Sequence, residues 1–68
     1  MNEETFNLSI RKFLKVVGIN SQRAIEQAVA KALADGSISG SMPLPASMTL
    51  TVPGLQLTAT FDGEIKLE

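Results

Sequence analysis

Seven carboxylates and six cations are the only charged side chains in this 68-residue sequence, and they bound the chemistry it can attempt. The carboxylates are Glu3, Glu4, Glu26, Asp35, Asp62, Glu64 and Glu68. Acid–base catalysis needs two such groups with separated pKa values in a dry pocket. Here each falls at a cap, a turn, a terminus or a polar helix face, where dipole and turn chemistry already account for it. Cys, His, Trp and Tyr are absent. The chain therefore has no near-neutral titrating side chain, no soft metal ligand and no nucleophile of the common activated kinds. Gly36-Ser37-Ile38-Ser39-Gly40-Ser41 is rich in Gly and Ser, but it follows a helical pattern rather than a strand, so it lacks the context of a phosphate cradle. Asp62-x-Glu64 lacks the rest of a calcium loop. The sequence predicts a non-enzymatic protein with no catalytic, metal or cofactor-binding residue and no cofactor.

The cations suggest a second chemistry. Arg11, Lys12, Lys15, Arg23 and Lys31, with Gln27, lie within a segment that has the outline of a helix-turn-helix: a helix, Gly18-Ile19, a Ser21 cap and a second helix. Against nucleic acid stand the acidic Glu26 between Arg23 and Lys31, the net charge of −1 and the lack of a spare aromatic for base stacking. Nucleic-acid binding through these six residues is the alternative reading, not the leading one.

Size points elsewhere. A chain of about 60 residues hides only about 60% of its unfolded surface, and small domains recover the deficit with disulfides, metals or partners. Without Cys or His, the first two routes are closed. Association with another copy is the cheapest remedy, so a homodimer is expected, with room for an unknown protein partner. Met1-Asn2-Glu3-Glu4 is acidic and unlike a secretory signal, and no apolar run approaches the ~18 residues that span a bilayer. A cytoplasmic location without membrane contact is expected.

The elements that must position these groups are legible as periodicities. Phe6, Ile10, Phe13, Leu14 and Val17 form one apolar stripe, capped by Asn2 and closed by Gly18, which predicts a helix over 3–17. Ser21 as N-cap, Ile25, Ala28, Val29, Ala32 and Leu33 as stripe, and Gly36 as stop predict a second helix over 22–35. Residues 36–47, with Pro43 and Pro45, read as a flexible link. Alternation of apolar residues with threonine predicts strands at 48–52, 55–61 and 65–67. A two-residue Pro53-Gly54 turn would pair Val52 with Leu55, Leu50 with Leu57 and Met48 with Ala59, yet L-Pro followed by Gly favours turns that splay a tight hairpin. A three-residue connection, Asp62-Gly63-Glu64, would join the last two strands with Phe61 opposite Ile65.

The expected fold is thus a single α+β domain. Two N-terminal helices precede a short antiparallel β-meander (α-α-β-β-β) in an intertwined or strand-exchanged homodimer, the exchange crossing the 36–47 link. Leu8, nearly opposite Phe6 on the helix, and Val16 at the stripe's edge add apolar surface beyond what one thin core can hold. The leading function class is a small homo-oligomeric protein–protein interaction module. Across Met1–Asn7, Ser9–Lys15, Val17-Gly18, Ser21-Gln22, Ile25-Glu26, Met48-Thr49-Leu50 and Asp62-Gly63-Glu64-Ile65, the chain resembles a family of very short, uncharacterised bacterial proteins. This resemblance covers essentially the whole sequence and implies a domain of unknown function. It implies no site residue.

Overall fold

A computed structural model describes all 68 residues. One helix, α1 (Glu3–Ala34), is followed by a strand, β1 (Leu44–Val52), a 3-10 turn over Pro53–Leu55 and a second strand, β2 (Leu57–Ile65). The class is α+β as expected. The element order is corrected from two helices and three strands to one helix and two strands. The chain divides into two units, Met1–Ser37 and Ile38–Glu68.

Both ends of α1 carry the chemistry that ends need. The Asn2 side chain accepts from the Thr5 N–H at 3.0 Å, and Glu3 and Glu4 sit in the first turn, where the helix dipole favours negative charge. At the other end the Gly36 N–H donates to the Leu33 carbonyl at 3.3 Å and the Ser37 N–H to the Ala32 carbonyl at 2.9 Å. That pair of bonds is a Schellman closure, and it requires the left-handed φ of +80° that Gly36 adopts.

Gly18, expected to play the same part, does not stop the helix. It is helical, its φ lies outside the left-handed region, and α1 runs through it for 32 residues. A stop there followed by a restart at Ser21 would leave carbonyls and N–H groups of two helix ends to be satisfied. Continuing costs only about 1 kcal/mol for Gly against Ala. No proline precedes Pro43 to force the break. The apolar pattern also stays in phase: Val17, Ser21, Ile25 and Ala28 continue the first stripe at helical spacing.

The second unit is a β-hairpin. β1 and β2 pair antiparallel along their full length, from Val52 opposite Leu57 to Leu44 opposite Ile65. This places Leu50 opposite Ala59 and Met48 opposite Phe61, two residues off the register expected around Pro53-Gly54. The conflict between pattern and turn chemistry is relieved by lengthening the loop to Pro53–Gln56. Pro53 begins a 3-10 turn, the Gln56 N–H donates to the Pro53 carbonyl at 3.0 Å, and Gln56 takes a left-handed φ of 52°. A loop of this length built on a tight helical turn accommodates the strand twist that a two-residue L-Pro-Gly turn opposes.

Asp62-Gly63 makes no turn. It lies inside β2, opposite Ser47 and Ala46, so the separate strand at 65–67 and its connection are replaced by one strand ending at Ile65. The physical reason is parity: Phe61, Gly63 and Ile65 already share one face, so the chain can pass straight through without moving an apolar residue to the wrong side. β1 correspondingly begins at Leu44, and the expected link is shortened at its end. Pro43 and Pro45 bias their preceding residues to extended geometry, and a two-stranded ribbon has outer edges where a missing N–H is tolerated.

Replacing Gly18 separates the one-helix from the two-helix arrangement. A Cβ at Gly18 meets nothing within 4 Å, so Gly18→Ala stabilises the chain by about 0.5–1 kcal/mol in urea melts followed by far-ultraviolet circular dichroism. Gly36→Ala, at a left-handed φ, destabilises by roughly 1 kcal/mol. Loss of stability in Gly18→Ala would return the turn to residues 18–20.

Candidate interaction surfaces

The helix carries one long apolar stripe in place of two short ones. At about 100° per residue, its N-terminal part (Phe6, Ile10, Phe13, Leu14, Val17) and its C-terminal part (Ser21, Ala24, Ile25, Ala28, Ala32) fall within about 120° of arc. Reading Ser21 as a cap concealed this, and the clue was the unbroken phase across Gly18. The stripe is open: Phe6 is 48% exposed, Phe13 and Leu14 54% each, and Ile25 37%. Val29 and Leu33, expected on the stripe, lie along the border that also carries Arg11 and Lys15.

Continuity of α1 changes what the candidate nucleic-acid residues form. The turn between two helices is gone, and with it the outline of a helix-turn-helix. Arg11 and Lys15 make one row along α1. Arg23, Gln27 and Lys31 make another, and Lys12 lies between the rows on the side away from the stripe. All six are exposed. The structure brings Arg23, Gln27 and Lys31 together at successive helical turns and keeps them on a different side from Arg11 and Lys15.

The hairpin has its own two faces. Leu44, Ala46, Met48, Leu50 and Val52 share one with Leu57, Ala59, Phe61, Gly63 and Ile65. Phe61 there is 61% exposed and Met48 45%. The opposite face is hydroxylic, with Thr49 opposite Thr60 and Thr51 opposite Thr58, and the Thr49 and Thr60 hydroxyls lie 3.2 Å apart. Such cross-strand threonine pairs suit a water-facing sheet surface. No side chain in the chain is buried.

The carboxylates are dispersed. Glu3 and Glu4 open α1, Glu26 lies in its second half, Asp35 caps its end, and Asp62 and Glu64 project from the hydroxylic side of β2. No three of the Asp and Glu residues gather as metal ligands would. A shallow depression of about 270 Å³ lined by Ser41, Pro43, Lys66, Leu67 and Glu68 lies beside the open end of the hairpin. None of the six candidate residues contributes to it.

One carboxylate is held by specific bonds. Asp35 Oδ1 accepts from the Ser37 hydroxyl and from the Ser37 N–H, the latter at 3.0 Å. These bonds, led by the hydroxyl, lower the Asp35 pKa from the usual aspartate value. A depressed carboxyl pKa contributes stability that is complete above the unfolded value of about 3.9 and is lost as pH falls through the lower folded value. The Ser37 amide resonance is therefore expected to titrate with a midpoint below about 3.9. In Asp35→Asn that titration disappears; a midpoint above the ordinary aspartate value would sink the assignment.

No helix of the chain is long and apolar enough to cross a membrane. Neither the curated proteins nor the solved structures contain a match to this chain. A family model described as a family of unknown function, DUF6494, matches residues 1–68. The uncharacterised short family that the sequence resembles thus has a definite identity, and the chain belongs to DUF6494.

Proposed function

We propose that this chain is a non-catalytic, self-associating protein–protein interaction module of the cytoplasm. The observation that carries the reading is that every large apolar side chain of both units remains at least partly open to solvent. A lone helix draws most of its stability from packing its apolar face, and a two-stranded hairpin is marginal in water. An amphipathic face kept open over the length of a helix marks a place where a protein partner sits. The scarcity of groups able to perform catalysis supports a binding role over an enzymatic one.

Concentration is the direct probe. Size-exclusion chromatography with light scattering at micromolar concentration is expected to give a dimer or larger species. Helical signal and melting temperature should both rise with protein concentration. A well-folded, monodisperse 7.3 kDa species would remove the reading. Binding of nucleic acid through Arg11, Lys12, Lys15, Arg23, Gln27 and Lys31 makes the opposite forecast. It requires retardation of bulk duplex at low salt and a steep loss as salt rises, whereas self-association through apolar stripes tolerates salt.

A further inference from the structure

We infer that the outer edge of β2 pairs with the outer edge of β2 from a second copy, the two strands running antiparallel about a two-fold axis at Phe61. The inference rests on the self-association reading above and names the element that makes the contact. A two-stranded ribbon leaves a row of backbone N–H and C=O groups unpaired along each strand. The two rows differ in this chain. β1 contains Pro45 and follows Pro43, and a proline inside a sheet is placed with its nitrogen on the outer edge, where it has no hydrogen to offer. β2 runs for nine residues, Leu57–Ile65, without a proline, a lysine or an arginine. Neither a missing donor nor a basic side chain blunts strand addition there.

The fit of this strand to itself identifies the occupant. Phe61 is the middle residue of β2, so an antiparallel pair about it overlaps all nine residues. Leu57 then faces Ile65 of the other copy and Ala59 faces Gly63, with Phe61 opposite Phe61. Facing residues differ by an even number, so the apolar face of one hairpin continues into that of the other. Phe61, 61% exposed in the single chain, meets its counterpart between Ala59 and Gly63, which leave room for both rings. On the hydroxylic face Thr58 comes opposite Glu64 and Thr60 opposite Asp62, so each carboxylate meets a hydroxyl donor.

Other registers fit worse. A parallel, in-register pair stacks Asp62 on Asp62 and Glu64 on Glu64, and like charges directly opposite are destabilising. An antiparallel pair about Asp62 also sets that carboxylate against itself, and one about Thr60 shortens the overlap to Leu57–Gly63. About Phe61 the two Asp62 carboxylates are diagonal neighbours, about 7–8 Å apart, on the water-facing side where solvent screens them. Closure follows from the other edge. The pair has two strands from each copy, past the three or more that give a sheet with an apolar face independent stability. Its outermost strands are the two β1 strands, where Pro45 ends the addition, so the assembly is a closed dimer rather than a filament.

The absence of native cysteine makes the test direct. Full-length Thr60→Cys and Asp62→Cys are mixed in equal amounts in a glutathione redox buffer, and the disulfide-linked dimers are separated by intact mass. Facing Cα atoms lie about 4.5–5.5 Å apart, within reach of a disulfide. Same-site cysteines are two residues out of step, beyond the limit of about 7 Å. The mixed dimer is expected to exceed each same-site dimer by about ten-fold or more. Same-site dimers in the majority, or a statistical mixture, would overturn the β2 pairing. A dimer in light scattering that forms no disulfide at these positions would do the same while leaving self-association in place. A chain that stays monomeric would overturn both. Charge supplies a second readout without cysteine. Thr60→Lys, opposite Asp62 of the other copy, tightens the dimer and Thr60→Glu weakens it, each by about three-fold. The reverse order, or no difference between the two, would count against the register.

Discussion

A helix and a two-stranded ribbon share a geometric limitation: each can gather its apolar side chains on one face, and neither has anything within itself to lay over that face. Everything else in this chain follows from that constraint. α1 places Phe6, Phe13 and Leu14 on one side, and the hairpin places Met48 and Phe61 on one side, yet all five remain substantially exposed. Backbone hydrogen bonding runs locally in both, by i→i−4 bonds in the helix and between nine facing residue pairs in the hairpin, whose outer edges are left to water. The backbone problem is therefore met within each unit and by water at its edges, and the hydrophobic problem is deferred to whatever covers the faces.

Local chemistry is spent at the boundaries of the elements. Asn2, Glu3 and Glu4 at one end of α1, and Asp35, Gly36 and Ser37 at the other, match the unpaired groups and the dipole that each end presents. Pro53 and the left-handed Gln56 do the same for the hairpin loop. These features define where each element starts and stops. They contribute little toward holding a face against solvent, because caps of this kind are worth about 1 kcal/mol each.

Legibility in the sequence followed the same division. Asn2 and Gly36 were readable as helix ends because a cap is a local event, set by one side chain or by one permitted φ. The apolar-and-threonine alternation was readable because period two survives any choice of register. Gly18 and Asp62-Gly63 were misread for a common reason. Each is a residue type that permits a turn, and permission is not compulsion when the flanking pattern stays in phase through it. Val17 to Ser21 to Ile25 remains on one helical face, and Phe61 to Gly63 to Ile65 remains on one strand face, so the longer element satisfies more backbone groups. The hairpin register depended on loop length, which L-Pro followed by Gly signalled only as an objection to the tightest turn. The surfaces were partly legible: the apolar stripe showed as two fragments, and its unity became visible only with the helix unbroken. The cations were readable individually, whereas their division between two rows on α1 required knowing that the turn was absent.

The middle of α1 is where helix formation and covering of the stripe meet. Between Val17 and Gln22 the helix contains Gly18, Asn20 and Ser21, all weaker helix formers than the alanine-rich stretch that follows. In an uncovered helix, fraying spreads from such a segment, because each of its residues adds less to propagation than Ala would. The same segment contains Ser21, the first of the small residues on the stripe, and from there through Ala24, Ala28 and Ala32 a neighbouring backbone can approach closely. Small side chains thus weaken the isolated helix at the place where they let a covering helix come near. Continuity of α1 and occupation of its apolar face are in this sense one equilibrium, with the intrinsic deficit of the central turn offset by the contact it permits.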